Sequence, residues 1–178
     1  QMGSELSGAD VQIVAGRDLT LVGSRVEAEN SAALQAGGDV TALSAMGEYH
    51  EFHKHKSKGG TFSSSRKSQK KTDITGNVAS TISAGDNLTI VAGADPAARA
   101  GGKGNLTLIG SQASAGGDVA LQATGDVLLA NATDTYSVQK SSSKKGTFSS
   151  SAKASAKFET TTVGSQVSGE NVRISAGD

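Results

Sequence analysis

Residues 85–93, Gly-Asp-Asn-Leu-Thr-Ile-Val-Ala-Gly, form the unit from which the fold can be read: a turn, a short strand and a second turn. The pattern returns at residues 16–23, Gly-Arg-Asp-Leu-Thr-Leu-Val-Gly, and at residues 104–110, Gly-Asn-Leu-Thr-Leu-Ile-Gly. Looser copies begin at residues 38, 117, 125 and 170. A unit this short cannot bury its own apolar side chains and must stack on its neighbours, so its repetition indicates a solenoid.

The spacing of the corner residues predicts how these units stack. Asp18 is separated from Asp39, and Asn105 from Asp126, by about 20 residues, and shorter steps between other corners add up to a similar value. Several short strands would then fill each coil, with every strand parallel to the one below it. We interpret this as an all-β fold, a right-handed parallel β-helix of roughly six or seven coils.

Apolar residues alternate within each unit, as Leu88 and Ile90 do. Alternation points these side chains inward and leaves residues such as Thr89 outward. Gly with Asp or Asn supplies the corners, because Gly accepts positive φ and Asx side chains bond to nearby backbone. A sandwich of antiparallel hairpins would fit the same alternation, but the regular corner spacing favours the β-helix.

Composition agrees with a thin core and excludes several kinds of site. The 178 residues include 3% aromatics and no Trp, and Gly is abundant at 23 residues. The absence of Cys excludes disulfides and thiolate metal sites, and no apolar run approaches the roughly 18 residues that span a bilayer. Residues 1–4 resemble a cloning scar, so we place a single β-helix over residues 5–178.

The sequence also contains a longer repeat, which includes several of the short units. Residues 19–25, Leu-Thr-Leu-Val-Gly-Ser-Arg, match residues 106–112, Leu-Thr-Leu-Ile-Gly-Ser-Gln. The same correspondence continues along the chain at a period of about 85 residues. The sequence therefore predicts two modules, about residues 8–93 and 102–177.

Each module contains one basic segment that interrupts the regular spacing of the short units, at about residues 48–73 and 134–159. Within them, residues 50–72 and 136–159 hold 12 of the 17 Lys and Arg residues but only 2 of the 17 acidic residues. A polar strand, a Gly turn and a second polar strand indicate an extrahelical β-hairpin in each module. The Ser and Lys content would equally suit a disordered loop.

The cations of these segments are the candidate surface-binding residues. Anionic lipopolysaccharide, phospholipid or nucleic acid would attract them, and four aromatics could insert at a surface. The alternative is that the cations keep exposed hairpins soluble while the aromatics pack at the hairpin base. The candidates are Lys54, Lys56, Lys58, Arg66, Lys67, Lys70, Lys71, Lys140, Lys144, Lys145, Lys153 and Lys157, with Phe52, Phe62, Phe148 and Phe158.

His50, His53 and His55 form the single histidine cluster. On a strand, His53 and His55 share a face while His50 points the other way. Two histidines are weak candidates for Zn²⁺ or Ni²⁺, because a closed structural site needs about four ligands. We therefore expect a solvated polar hairpin, no metal and no cofactor.

Enzymatic activity is not expected. The chain has no Cys, no recognisable catalytic triad and no pair of carboxylates in a pocket-forming context, and a solenoid with a filled core offers no cleft. A polysaccharide-acting β-helix enzyme is the remaining enzymatic alternative, and any measurable glycan cleavage would support it.

Three stretches together resemble the hemagglutinin repeats of filamentous hemagglutinins and of contact-dependent inhibitor A proteins. They are residues 15–21, Ala-Gly-Arg-Asp-Leu-Thr-Leu, residues 110–119, Gly-Ser-Gln-Ala-Ser-Ala-Gly-Gly-Asp-Val, and the Asp-Thr-Tyr-Ser entry at residues 134–137, which a Ser/Lys tract and Gly146 follow. The resemblance covers residues 8–178. The first module departs from it, since histidines stand at residues 50, 53 and 55 where Ser and Thr are common.

The resemblance implies an exported, β-helical filament of a Gram-negative bacterium, secreted through an outer-membrane transporter of two-partner secretion that other regions of the parent chain engage. It further implies adhesion or, in the contact-dependent inhibitors, delivery of a C-terminal toxin across the outer membrane of a neighbouring cell. The expected partners are that membrane or a surface glycolipid and no nucleic acid. The expected location is the bacterial surface, with passage to the target cell, and the isolated segment is expected to be monomeric.

Overall fold

The computed structural model describes residues 3–58, 64–95 and 102–177, and these residues form strands, turns and no helix. The chain divides into two compact units. The first, here the coil unit, contains Gln1–Met46, Asn77–Ala132 and Thr162–Asp178. The second, here the insert unit, contains Gly47–Gly76 and Thr133–Thr161.

The coil unit is built from three sheets. One sheet contains, in this order, β1 (Glu5–Gly8), β4 (Arg25–Ala28), β9 (Thr81–Ala84), β12 (Gln112–Ala115) and β17 (Gln166–Ser168). The next contains β2 (Val11–Ala15), β5 (Ala32–Ala36), β10 (Leu88–Ala92), β13 (Asp118–Ala123) and β18 (Asn171–Ser175). The third contains β3 (Leu19–Val22), β6 (Val40–Leu43), β11 (Leu106–Ile109) and β14 (Val127–Ala130).

Neighbouring strands in these three sheets pair in parallel. Glu5 lies opposite Arg25 and Leu19 lies opposite Val40, so each of these steps takes about 20 residues. The predicted all-β fold with parallel strands at this pitch is therefore confirmed, as a β-helix requires. The alternative of a sandwich of antiparallel hairpins is wrong for this unit.

The expected number of coils is wrong. The described strands of the coil unit make four sets of three and two strands of a fifth set, rather than six or seven coils. One reason is that the connection from β10, which ends at Ala92, to β11, which starts at Leu106, is much longer than the connection from β5 to β6. The insert unit also takes up more of the chain than the basic stretches at residues 50–72 and 136–159, and its four-stranded sheet is separate from the three sheets of the coil unit.

The core of the coil unit is a stack of medium-sized aliphatic side chains. Leu34, Ile90 and Leu121 are fully buried and lie in register across β5, β10 and β13. Val40 and Leu106 stack in the same way in the third sheet. Truncating a buried Leu or Ile of this stack to Ala would cost about 2–5 kcal/mol, which explains how a chain almost free of aromatics holds together.

Asp and Asn side chains connect successive coils at the corners. Asp18 Oδ1 accepts the backbone N–H of Asp39 at 2.8 Å, and Asp39 Oδ1 accepts that of Asn105 at 2.7 Å. Asn105 Oδ1 in turn accepts the N–H of Asp126 at 2.8 Å. Each acidic or amide residue therefore satisfies a backbone donor at the corner of the next coil.

Glycines are needed at these corners because the neighbouring coil leaves no room for a Cβ, not because the backbone has a positive φ. A Cβ at Gly38 would lie 2.3 Å from Asp18 Oδ1, and a Cβ at Gly85 would lie 1.9 Å from the carbonyl oxygen of Glu29. Positive φ occurs at four other described glycines: Gly23, Gly93, Gly102 and Gly110. The expectation that the Gly-Asx corners need positive φ is therefore wrong for Gly38 and Gly85, because what limits them is the neighbouring coil.

A column of serines lies at a second corner. Ser80 and Ser111 are fully buried. Ser80 Oγ accepts the N–H of Ser24 at 3.2 Å and donates to the carbonyl of Leu43 at 2.7 Å. Two coils after Ser80, Ser165 Oγ has the same role and accepts the N–H of Ser111 at 3.3 Å. These hydroxyls satisfy backbone groups at the corner between two strands.

The insert unit is one four-stranded sheet. Its order is β16 (Ser150–Val163), β15 (Ala132–Lys145), β8 (Ser65–Val78) and β7 (Ala45–Ser57). β8 and β15 are antiparallel, from Thr75 opposite Thr135 to Ser65 opposite Lys145. The sequence places one basic element in each module, and the structure adds that the two share a sheet. The predicted turn at Gly59 and Gly60 lies outside the described residues.

Ser4 belongs to the fold although the sequence-based boundary excludes it. Its carbonyl oxygen accepts the N–H of Arg25 at 2.8 Å, just before β1 begins to pair with β4.

We predict that Gly85→Ala lowers the free energy of unfolding by about 1–3 kcal/mol, because the new methyl meets a backbone carbonyl that cannot rotate away. Gly16 occupies the same position in its own copy of the motif, but a Cβ there would have no neighbour within 4 Å. Gly16→Ala is therefore the matched control, and it should be neutral or slightly stabilising. Urea denaturation of both variants provides the measurement, and equal midpoints would contradict the close-approach explanation.

Candidate functional site

The candidate cations lie in the insert unit, on or beside its strands. The register of β8 and β15 places Arg66 directly opposite Lys144 and Lys70 directly opposite Lys140. Like charges directly opposite each other destabilise an antiparallel pair. The sheet thus contains two cation pairs that a bound anion would relieve.

Alternation along the strands separates the cations into two faces. Directly opposed residues of neighbouring strands lie on the same face of the sheet. One face, which we call the basic face, therefore carries Arg66, Lys70, Lys140 and Lys144. Lys67, Lys71 and Lys145 lie on the other, here the mixed face. On β7, His50 contacts Asp73 of the mixed face, which by alternation places Lys54 and Lys56 there too. Lys58 follows the end of β7.

Some of the cations have acidic partners. Lys71 Nζ lies 2.9 Å from Asp73 Oδ2, Lys70 Nζ lies 3.8 Å from Glu51 Oε2, and Lys157 Nζ lies 2.5 Å from Glu159 Oε1. The bond to Glu159 raises the pKa of Lys157.

Other cations have none. In the described part of the chain, no acidic side chain forms an ion pair with Arg66, Lys140, Lys144 or Lys153. The same holds for Lys54, Lys67 and Lys145, which are spread over the mixed face. Both faces therefore carry positive charge that an external anion could meet, and the cations that β8 and β15 place directly opposite each other lie on the basic face.

Two histidines, His50 and His53, pair with carboxylates. His50 Nδ1 lies 2.7 Å from Asp73 Oδ1, and His53 Nε2 lies 2.9 Å from Glu51 Oε1. The hydrogen bond to Asp73, and then that to Glu48, raises the pKa of the His50 imidazole. The bond from His53 lowers the pKa of Glu51.

A metal site at His53 and His55 gains no support from this geometry. His53 is engaged by Glu51. Among residues 3–58, 64–95 and 102–177, no group of three or more His, Cys, Asp or Glu side chains is arranged to hold a metal ion.

Three phenylalanines of the insert unit are exposed. Phe148 is fully exposed, Phe158 is 69% exposed and Phe52 is 61% exposed. The alternative that they pack at the base of the basic elements is therefore wrong for these three. Phe62 lies outside the described residues. Exposed aromatics beside cations are a combination suited to contact with an interface that is apolar below and charged above.

Sequence reasoning missed the hydroxyl groups that accompany the cations. Ser142 and Ser151 line a cavity together with Arg66, Lys144 and Lys153. The available signal was the alternation of Ser and Lys along β15 and β16, because residues two apart on a strand share a face. The coil unit has no comparable group of cations, since the described cations outside the insert unit are Arg17, Arg25, Lys103 and Arg173.

The described residues include no helix of a length and apolarity that would cross a membrane.

Comparison with known proteins gives one match. A family model described as a hemagglutinin repeat matches residues 1–65 and 60–157. This confirms the resemblance drawn from the repeated motifs. No curated protein and no solved structure matches the chain.

We predict that the His50–Asp73 pair makes the insert unit most stable between the unfolded pKa of Asp, 3.8, and that of His, 6.5. The raised pKa of His50 means that its contribution is present below 6.5 and is lost as the pH rises through the folded value. The lowered pKa of Asp73, caused first by His50 and then by Lys71, means that its contribution is present above 3.8 and is lost as the pH falls through the folded value.

NMR titration of the His50 ring protons tests this pair. In Asp73→Asn the pKa of His50 should fall toward its ordinary value, and in His50→Gln the loss of stability above pH 6.5 should disappear. A His50 pKa that Asp73→Asn leaves unchanged would show that the contact is not formed in solution.

Proposed function

Because the chain belongs to the hemagglutinin-repeat family, whose members are exported cell-surface proteins, we propose that it is a non-enzymatic segment of a toxin-carrying filament that acts in contact-dependent growth inhibition. In this proposal the parent chain leaves the producing cell by two-partner secretion. The segment then contributes to passage across the outer membrane of the target cell. A right-handed winding of the coils and two extrahelical basic hairpins belong to the same proposal.

The observation that carries the proposal is the continuity of the coils across both insertions. β4 pairs with β9, although residues 47–76 come between them in the chain, and β12 pairs with β17, although residues 133–161 come between those. The parallel ladder thus closes without any strand of the insert unit. An element that the ladder does not need is available for interaction, which supports a division between a filament-forming region and an interacting region.

The composition of the insert unit supports an interaction with an anionic membrane surface. It carries 12 of the 17 Lys and Arg residues, most of which form no ion pair with a described acidic side chain, and three exposed phenylalanines. Each Lys or Arg near an anionic surface contributes about 1 kcal/mol of attraction. The exposed rings add apolar area that a headgroup region can accept.

Replacement of residues 47–76 and 133–161 by short Gly-Ser connectors in the full-length parent tests the proposal. We expect display on the producing cell to remain, because the ladder closes without these residues, and inhibition of neighbouring target cells to be lost. Protease accessibility of the filament and target-cell growth are the two measurements. Undiminished inhibition would refute the proposal.

The control for this experiment is Leu34→Asp, which places a charge in the core of the coil unit. A buried, unpaired carboxylate costs several kcal/mol, so this variant should lose display and inhibition together. The contrast between the two variants separates filament formation from transfer.

The second candidate function is adhesion, in which the basic elements themselves hold an anionic ligand on a host or bacterial surface. The exposure of Phe52, Phe148 and Phe158 in a unit rich in unpaired cations favours it. It differs from the first proposal in requiring that the isolated segment bind such a surface.

Binding to anionic lipid vesicles distinguishes the two functions. Adhesion predicts binding that weakens as ionic strength rises and that falls by at least about tenfold when Lys140, Lys144, Lys145, Lys153 and Lys157 are changed to Ala. Absence of vesicle binding, combined with loss of inhibition in the connector variant, would leave the transfer role alone.

A further inference from the structure

A small cavity opens on the basic face of the insert unit. It has a volume of about 230 Å³ and is lined by Arg66, Ser142, Lys144, Ser151 and Lys153. Ser142 and Lys144 come from β15, Arg66 from β8, and the other two residues from β16. Three adjacent strands thus hold its walls in place, and the register fixes the opposition of Arg66 and Lys144.

The charge of this cavity is unbalanced. Its lining contains three cations and no carboxylate, and none of the three cations forms an ion pair with a described acidic side chain. Because Arg66 and Lys144 are directly opposed, their repulsion acts within the sheet unless an anion lies between them. The neighbouring cation Lys140 lies on the same face and adds to the positive potential.

The polar groups of the cavity match a tetrahedral dianion. Arg66 offers planar, paired N–H donors, Lys144 and Lys153 act as point charges, and the Ser142 and Ser151 hydroxyls donate to further oxygens. A water molecule takes about 30 Å³, so the cavity has room for a phosphate group that keeps some of its hydration. A carboxylate has two oxygens and a single charge and would use fewer of these donors.

We propose that Arg66, Lys144 and Lys153, with the hydroxyls of Ser142 and Ser151, form a binding site for a phosphate monoester carried by a membrane glycolipid. The inference rests on the proposed surface-binding function, because that function supplies the membrane as the source of the ligand. The exposed Phe148 belongs to the connection between β15 and β16, the two strands that supply four of the five lining residues, so a lipid-borne phosphate fits this site better than a free one.

The test uses the complete segment and two triple variants of equal charge. The site variant is Arg66→Gln, Lys144→Gln and Lys153→Gln. The control variant is Lys54→Gln, Lys67→Gln and Lys145→Gln, which removes three cations from the mixed face. Thermal unfolding checks both, and the site variant should be at least as stable as the unaltered chain because its opposed cations are gone.

Binding is measured by sedimentation with phosphatidylcholine vesicles that contain a bisphosphorylated glucosamine-disaccharide lipid, and with matched vesicles that contain the same lipid without its phosphates. The site variant should lose at least about tenfold in affinity for the phosphorylated vesicles, since it lacks three charge-assisted hydrogen-bond donors. The control variant should lose less, and vesicles without phosphate should bind weakly to all three proteins.

Other outcomes overturn the inference in distinguishable ways. Equal losses in the two variants would replace the site with a diffuse electrostatic attraction and would leave the surface-binding function standing. Failure of the unaltered chain to bind phosphorylated vesicles would refute both the glycolipid ligand and the surface-binding function. NMR shifts at Arg66 on addition of inorganic phosphate, without vesicle binding, would assign the cavity to free phosphate and exclude the glycolipid.

Discussion

The coil unit depends on the contact between corner residues of successive coils. A parallel stack leaves backbone N–H groups at each corner outside the strands, and Asp and Asn side chains accept them. The series Asp18, Asp39, Asn105 and Asp126 does this with bonds of 2.7–2.8 Å. These hydrogen bonds from N–H groups of the following coil bring the coils close together. A Cβ at Gly38 would therefore clash with the carboxylate of Asp18. The Gly-Asx dipeptide is thus a property of the contact between coils.

Once the corners hold the coils in register, the chain can leave the ladder and return to it. Ala32 is much further along the chain from its partner Leu88 than from its other partner Val11, because the first basic segment lies between Ala32 and Leu88. The register nevertheless stays regular where β5 pairs with β2 and where it pairs with β10. Since a slip of one position would turn the core side chains outward, fully buried residues such as Leu34 and Ile90 fix the register on both sides of the insertion. This tolerance lets one chain combine a repetitive coil with a sheet of different chemistry.

The insert unit has a different physical basis from the coil unit. Its strands are long, at 13 or 14 residues, and most of their side chains are exposed. Few apolar residues stabilise it, and opposed cations act against it. An anion that binds the folded sheet on its basic face would therefore stabilise it. The Thr72 hydroxyl also acts against the folded sheet, because it is buried and has no hydrogen-bond partner among the described residues.

Several features followed from the sequence because local chemistry sets them. Parallel strands and a thin aliphatic core could be predicted from the alternation at Leu88 and Ile90 and from the regular corner spacing. The two basic elements could be predicted from the concentration of cations in two segments.

The role of the corner glycines and the number of coils could not be predicted from the sequence, because both depend on what lies in the adjacent coil or in the connections. The pairing of β8 with β15 could not be predicted either, since the two strands lie in different modules and no local pattern encodes which polar strand meets which. The repeating coil can therefore be derived from local sequence. The shared face of cations from two distant segments cannot, because only the pairing of β8 with β15 brings Arg66 opposite Lys144.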